Sequence, residues 1–207
     1  MKDFLTIEGL AEYGFEISRS SFVCRMAHTK NLAEGLEFVA GIKKKFSDAT
    51  HNCYAIVGDP QSNEQRFSDD GEPSGTAGQP MLGVLAKNGL YCVTAVVTRY
   101  FGGIKLGAGG LVGAYTKAVA ECVSAAKIVK SVWSDIYKAE LTYSEYQAAE
   151  KRFRESGFKV VSVEFGEGVS LEIAAPAKDG EALNNYLSTL TQGGARHKQT
   201  DSKYVVY

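Results

Sequence analysis

The sequence predicts an α+β protein in two successive domains, residues 1–132 and 133–207. Three observations carry this. Strand-like and helix-like segments alternate up to residue 126. One of them, Tyr91–Thr98 (YCVTAVVT), is nearly all apolar or β-branched, as a strand covered on both faces must be. Around Lys130–Asp135 the pattern breaks, then restarts as a βαββαβ series. With 207 residues, 44% hydrophobic and 23% charged, the chain has apolar material for one or two cores.

Residues 11–27 carry Phe15, Ile17, Phe22, Val23 and Met26 in loose alternation. They read as two strands, or one bent strand, broken near Arg19–Ser21. Asn31 is placed to cap a helix. Behind it Leu32, Leu36, Val39, Ile42 and Phe46 recur at steps of three and four, giving one apolar stripe. Lys43, Lys44 and Lys45 follow where cations suit the helix dipole. His51–Val57 (HNCYAIV) reads as a strand. Gly58–Gly78 is polar and turn-rich, long enough to suggest function rather than mere connection. Pro80 fits the first turn of a helix, Met81, Leu82 and Leu85 supply its apolar face, and Asn88–Gly89 ends it. After the buried strand, apolar positions from Leu111 to Ala126 mark a long amphipathic helix.

Beyond the break, Ile136–Tyr143 alternates as a strand. Tyr146, Ala149 and Phe153 mark a helix stopped at Gly157. Phe158–Phe165 and Val169–Ala175 form a hairpin across Gly166–Gly168. Leu183, Leu187 and Leu190 mark a second helix, ended by Gly193–Gly194, and Arg196–Tyr207 closes as a strand. That order is the ferredoxin-like arrangement, two helices on one face of an antiparallel sheet.

Net charge is −1, so no global basic field draws the chain to nucleic acid. Cys24, Cys53, Cys92 and Cys122 form no C-x-x-C pair and read as small buried hydrophobes in a reducing compartment. No apolar run approaches the roughly 18 residues that span a bilayer. The start, MKDFLTIEGLAEYG, lacks a basic segment followed by an apolar run. These features point to a cytoplasmic protein with no membrane partner.

The densest chemistry lies between residues 67 and 115. Gly102, Gly103, Gly107, Gly109 and Gly110 fall within one short stretch that leads into a helix. Free N–H groups and the dipole at a helix start attract anions. Arg99 ends the preceding strand, Lys105 lies inside the loop, and Tyr100–Phe101 offer rings on which a base can stack. The alternative is tight strand-to-helix packing. Asp69, Asp70 and Glu72 form an acidic loop with Thr76. Their oxygens suit a hard cation, or turns and backbone N–H groups that need capping. They lack the spacing of a calcium loop and no further carboxylate cluster accompanies them, so neither metal nor cofactor is expected. His51 and Cys53 share a strand face. A cysteine within HNCYAIV reads as core, and no catalytic residue is assigned.

The paired segments FSDDGEPSGTAGQPML and VVTRYFGGIKLGAGGLV closely resemble the bacterial YigZ branch of the IMPACT family. So do Ser21-Phe22, His28 and His51-x-Cys53-x-Ala55, and the resemblance covers nearly the whole chain. It implies an N-terminal domain like domain 2 of ribosomal protein S5. It also implies a tail like the C-terminal domain of elongation factor G. The family's eukaryotic relative regulates translation by binding the activator of an initiation-factor kinase. Two positions depart from the family pattern: Ser20-Ser21-Phe22 stands where members carry Ser-Arg-Phe, and Gly113 where they carry Arg or Lys. The resulting expectation is a non-enzymatic regulator that binds RNA, ribosome or a translation-associated protein. Its binding residues would be His51, Asp69, Asp70, Glu72, Thr76, Arg99, Tyr100, Phe101, Gly102, Gly103, Lys105 and Gly107. The second reading is a phosphate- or nucleotide-binding protein or enzyme using the same glycine loop.

Overall fold

The computed structural model describes residues 2–193 and 196–207. Its described residues divide into two compact units, residues 4–130 and residues 131–207, the latter joined by residues 2 and 3.

The first unit holds β1 (Phe4–Ile7), β2 (Leu10–Ile17), β3 (Ser20–His28), α1 (Leu32–Lys45), β4 (His51–Val57), β5 (Gln65–Ser68), α2 (Gly78–Lys87), β6 (Val93–Tyr100) and α3 (Gly107–Ala125). Its sheet runs β2-β3-β6-β4-β5 with every pairing antiparallel. β6 sits at the centre, and seven of its eight residues are buried. The period of two divides β4 and β6 between two cores. Cys53, Ala55, Ala95 and Val97 meet Met81, Leu85, Ala114, Tyr115 and Ala118 of α2 and α3. Ile56 and Val96 meet Val39 and Ile42 of α1 on the other face. The fully apolar YCVTAVVT segment follows from that double cover.

The break expected near Arg19 is a two-residue turn, Ser18 and Arg19 both taking left-handed φ of 48° and 63°. Such turns match the natural twist of a hairpin. Asn31 caps α1 by accepting from the Glu34 amide. Two strands escaped the pattern: β1 and β5 have four residues each, too few to show alternation. The start of α3 also differs. It begins at Gly107, four residues before the first apolar position of the predicted helix, so Gly107, Gly109 and Gly110 are helix and not loop.

The second unit holds β7 (Ile128–Leu141), α4 (Tyr143–Glu155), β8 (Lys159–Phe165), β9 (Val169–Pro176), α5 (Gly180–Leu190) and β10 (His197–Val206). From Ser131 onward, β7 lies between β10 and β9, and β8 pairs with β9, so the order is β10-β7-β9-β8 and fully antiparallel. This is the predicted ferredoxin-like topology. Phe153 and Leu187 of the helices pack on Tyr137, Leu171 and Ile173. The Thr142 hydroxyl and Glu145 carboxylate form a reciprocal capping box on α4. The expected break near Lys130–Asp135 holds the division between the two units, at residues 130 and 131, but no turn marks it: β7 begins at Ile128, eight residues before the predicted strand, with Ser131 and Ser134 buried. Polar residues there alternate within the strand, and Tyr143, predicted as the strand's end, opens the helix. Of the predicted α5 stop, Gly194 lies outside the described residues. No helix among the described residues is long and apolar enough to cross a membrane.

Candidate functional site

Between β6 and α3 the chain has six residues in which to reverse. Phe101 donates its amide to Thr50 Oγ1 at 3.0 Å, and Gly102 donates to Ser20 Oγ at 3.1 Å. A Cβ on Gly102 would lie 1.9 Å from the Arg19 carbonyl oxygen, so only glycine lets the loop rest against the β2–β3 turn. Gly103 and Gly107 take φ of 88° and 70°, the left-handed region glycine enters freely. Gly109 differs from these. It is helical, and a Cβ there would meet nothing within 4 Å. Neither packing nor backbone shape demands it, although glycine in a helix costs about 0.5–1 kcal/mol relative to alanine.

The two helix starts beside this loop contrast. The acidic loop caps α2: Asp69 Oδ1 accepts from the Ala77 and Gly78 amides at 3.0 and 2.8 Å, and Oδ2 from Gly75 at 2.8 Å. Burial pushes the Asp69 carboxyl up, but the three amides together outweigh it and hold the group below the ordinary aspartate range. At α3 the cap residue is Leu106, which supplies no side-chain acceptor, and the first turn has no acidic residue. The amides of Gly107, Ala108 and Gly109 have no partner among the described residues. Free donors and dipole both face outward.

Gly107 and Ala108 at this helix start line a cleft of about 390 Å³ together with Thr50, His51, Glu72, Pro73, Arg99, Phe101, Lys105, Leu106 and Leu111. Its floor is a buried ion pair. Arg99 Nη1 donates to Glu72 Oε1 at 2.5 Å, with the two side chains 6% and 3% exposed. The Tyr115 hydroxyl donates to the same oxygen at 2.7 Å. Burial, then Cys53 and Glu72, push the Tyr115 phenol up, which keeps it a donor. The Arg99 guanidinium lies 5.2 Å and 5.5 Å from the Phe22 and Phe101 ring centres. Its Nε is buried without a hydrogen-bond partner among the described residues. His51 Nδ1 lies 2.8 Å from the Asp70 carbonyl oxygen, which can only accept, so Nδ1 carries hydrogen. Nε2 lies 3.8 Å from Glu72 Oε2. Lys105 stands exposed at the rim and makes no hydrogen bond or ion pair among the described residues.

Of the twelve residues the sequence nominates, His51, Glu72, Arg99, Phe101, Lys105 and Gly107 line the cleft. Asp69 caps α2. Asp70 Oδ1 pairs with Lys43 at 2.5 Å and Oδ2 accepts from the Asn52 amide at 2.7 Å. Thr76 is buried and donates to the Pro73 carbonyl. Tyr100 reaches Asp48 at 3.2 Å. Gly102 and Gly103 shape the loop. Thr50, Pro73, Leu106, Ala108, Leu111 and the supporting Tyr115 went unnominated, because apolar and small residues carry no chemical signal until the fold gathers them. Cys53 Sγ donates to the Asp69 carbonyl at 2.9 Å, and burial pushes its thiol up to about 12. It is therefore no thiolate nucleophile near neutrality. Among the described residues no three histidine, cysteine, aspartate or glutamate side chains gather as a metal-ligand set.

Comparison with known proteins agrees with this architecture. Residues 18–123 match the Impact N-terminal domain, and residues 140–193 match a domain of unknown function, DUF1949. The chain is 38% identical over 205 residues to the IMPACT family member YvyE of Bacillus subtilis, covering 99% of this chain and 94% of the relative. It is 34% identical over 180 residues to the IMPACT family member YigZ of Escherichia coli, covering 86% and 88%. A crystal structure of a hypothetical protein superposes with a TM-score of 0.66 at 30% identity, covering 100% of this chain and 98% of that one. On the match of both its domains and on relatives aligned over nearly their whole length, the chain belongs to the IMPACT family.

Proposed function

We propose that this protein is a cytoplasmic, non-catalytic regulator of translation that binds RNA, free or within the ribosome, through the cleft between β6 and α3. The observation that carries the reading is the uncapped start of α3, with three unpartnered amides beside Lys105 and the unpartnered Nε of Arg99. Amides at a helix start, a lysine and an arginine edge are the donors that phosphate oxygens seek. Phe101, 46% exposed at the rim, gives a base a ring to lie on. The family resemblance supplies the translation context. Because net charge is −1, the affinity must come from this local cluster and not from a general basic field.

Ribosome co-sedimentation with a nuclease control tests the reading. Lys105→Glu keeps an exposed side chain and reverses its charge. It should weaken association about tenfold or more, the equivalent of 1.4 kcal/mol. Lys105→Ala should flatten the salt dependence by about one unit of slope. Unchanged association of Lys105→Glu at low salt would remove the cleft as the RNA site. Association that survives nuclease would point to a protein partner instead.

A further inference from the structure

The sheet of the second unit ends on a strand whose outer edge is bare. β8 pairs with β9 on one side and with no strand on the other among the described residues. It contains no proline, and Val161 and Phe165 stand 41% and 64% exposed. Phe165 is the most exposed large apolar side chain among the described residues. Open edges of this kind recruit another strand unless something blunts them. We propose that β8 is a dimer interface, joining antiparallel to β8 of a second copy about a twofold axis between Val161 and Ser162. β8 contributes nothing to the α3 cleft, so the pairing stands whether or not that cleft takes RNA.

A second copy is the occupant that β8 itself describes. A twofold contact requires a segment that complements its own reverse. With the axis between Val161 and Ser162, Phe158 stands opposite Phe165 of the second copy and Lys159 opposite Glu164. Val160 then stands opposite Val163, and Val161 opposite Ser162. Ring meets ring, cation meets anion and β-branched meets β-branched, and each pair occurs twice. Matched cross-strand pairs of these kinds are what stabilises antiparallel strands.

The faces agree with the pairing. Directly opposite side chains on antiparallel strands share a face. Phe158, Val160 and Val163 pack on the helix-covered core, and Phe165 packs on Tyr143 and Tyr146 of α4, so all four face the helices. Strict alternation would put Val160 and Val163 on opposite faces. The register shift between Val160 and Ser162 supplies the extra residue that brings them to the same one. The bulge thereby makes the apolar face of β8 symmetric about its midpoint. By alternation Lys159 and Glu164 take the other face. Glu164 is exposed and has no ion-pair partner among the described residues. The Lys159 ammonium donates to the Val206 carbonyl at 2.6 Å and keeps hydrogens for a carboxylate. Phe158 lines a cavity of about 480 Å³ with Tyr146 and Phe153, and the register brings the exposed Phe165 ring of the second copy to that wall.

Sedimentation velocity of the full chain over a range of concentrations tests the pairing. The mass should rise from 22.3 kDa toward twice that value as concentration increases. Glu164→Lys sets lysine against Lys159 at both ends of the strand pair and should weaken the dimer about tenfold or more. Lys159→Glu combined with Glu164→Lys restores opposite charges in the same register and should return most of the affinity. Phe165→Ala, at an exposed position, should weaken the dimer with circular dichroism unchanged. A wild-type mass of one chain at every concentration would overturn the proposal and leave the edge to a strand from another protein. A dimer that neither Glu164→Lys nor Phe165→Ala weakens would place the interface elsewhere and overturn it equally. Loss in Glu164→Lys without recovery in the folded double variant would overturn the register.

Discussion

Substituting Gly109 by glutamate should stabilise the protein while closing its binding cleft. Gly109 is the third residue of α3, with open space where a Cβ would stand and an ordinary helical backbone. Replacing glycine in a helix with a good helix former gains about 0.5–1 kcal/mol. A carboxylate in the first turn adds about 0.3–1 kcal/mol through the dipole and can reach back to the cap amide. The sum is about 1–2 kcal/mol of added stability, read from urea unfolding of the first unit. The same carboxylate occupies the amides a phosphate would use and adds like charge, so RNA binding should fall about tenfold or more. Gly109→Ala is the control: it should share the propensity gain and leave most of the binding. Loss of stability in Gly109→Glu would mean the helix start is already satisfied. Gained stability with unchanged binding would mean the α3 start is not where the ligand sits.

Other outcomes follow from the same geometry. Arg99→Ala leaves Glu72 as an uncompensated buried charge and should cost about 3–5 kcal/mol, so it is a stability variant before it is a binding variant. Intact stability in thermal unfolding would show the pair to be solvated. Gly102→Ala drives a Cβ into the Arg19 carbonyl and should cost about 1–3 kcal/mol by displacing the β2–β3 turn; stability equal to wild type would contradict that approach. Asp69 has a folded value held below its unfolded one near 3.9, so its contribution is present above about pH 4 and lost as pH falls through the folded value. Asp69→Asn should therefore be less stable than wild type at pH 7, with the gap closing in acid. A gap independent of pH would refute the capping role.

The elements that the sequence revealed are those whose burial repeats over many residues. β6 was legible because both of its faces are covered, and α1 because Asn31 and a five-position stripe mark it from end to end. β1 and β5 were not, since four residues cannot establish a period. The start of α3 was misread because three glycines within four residues argue for loop on propensity. Tertiary packing of Leu111, Ala114 and Tyr115 overrides that argument. The polar run at Lys130–Asp135 marked the division between the units but hid the start of β7, because sheet pairing buries Ser131 and Ser134 within a strand. In the cleft, Arg99, Lys105 and the glycines were nominated as a cationic loop. What sequence could not show is that Arg99 is already paired. Glu72 lies 27 residues away, and only the fold brings its carboxylate and the Tyr115 hydroxyl together over the same strand end.

The central claim is that the start of α3 is where the ligand's phosphate sits. Amide chemical shifts of ¹⁵N-labelled protein, followed through a titration with a short RNA, address it residue by residue. The account predicts the largest shifts at Gly107, Ala108 and Gly109, with smaller ones at Phe101 and Lys105, and their disappearance in Gly109→Glu. Shifts confined to the second unit, or spread evenly over the surface with the α3 amides unmoved, would contradict it.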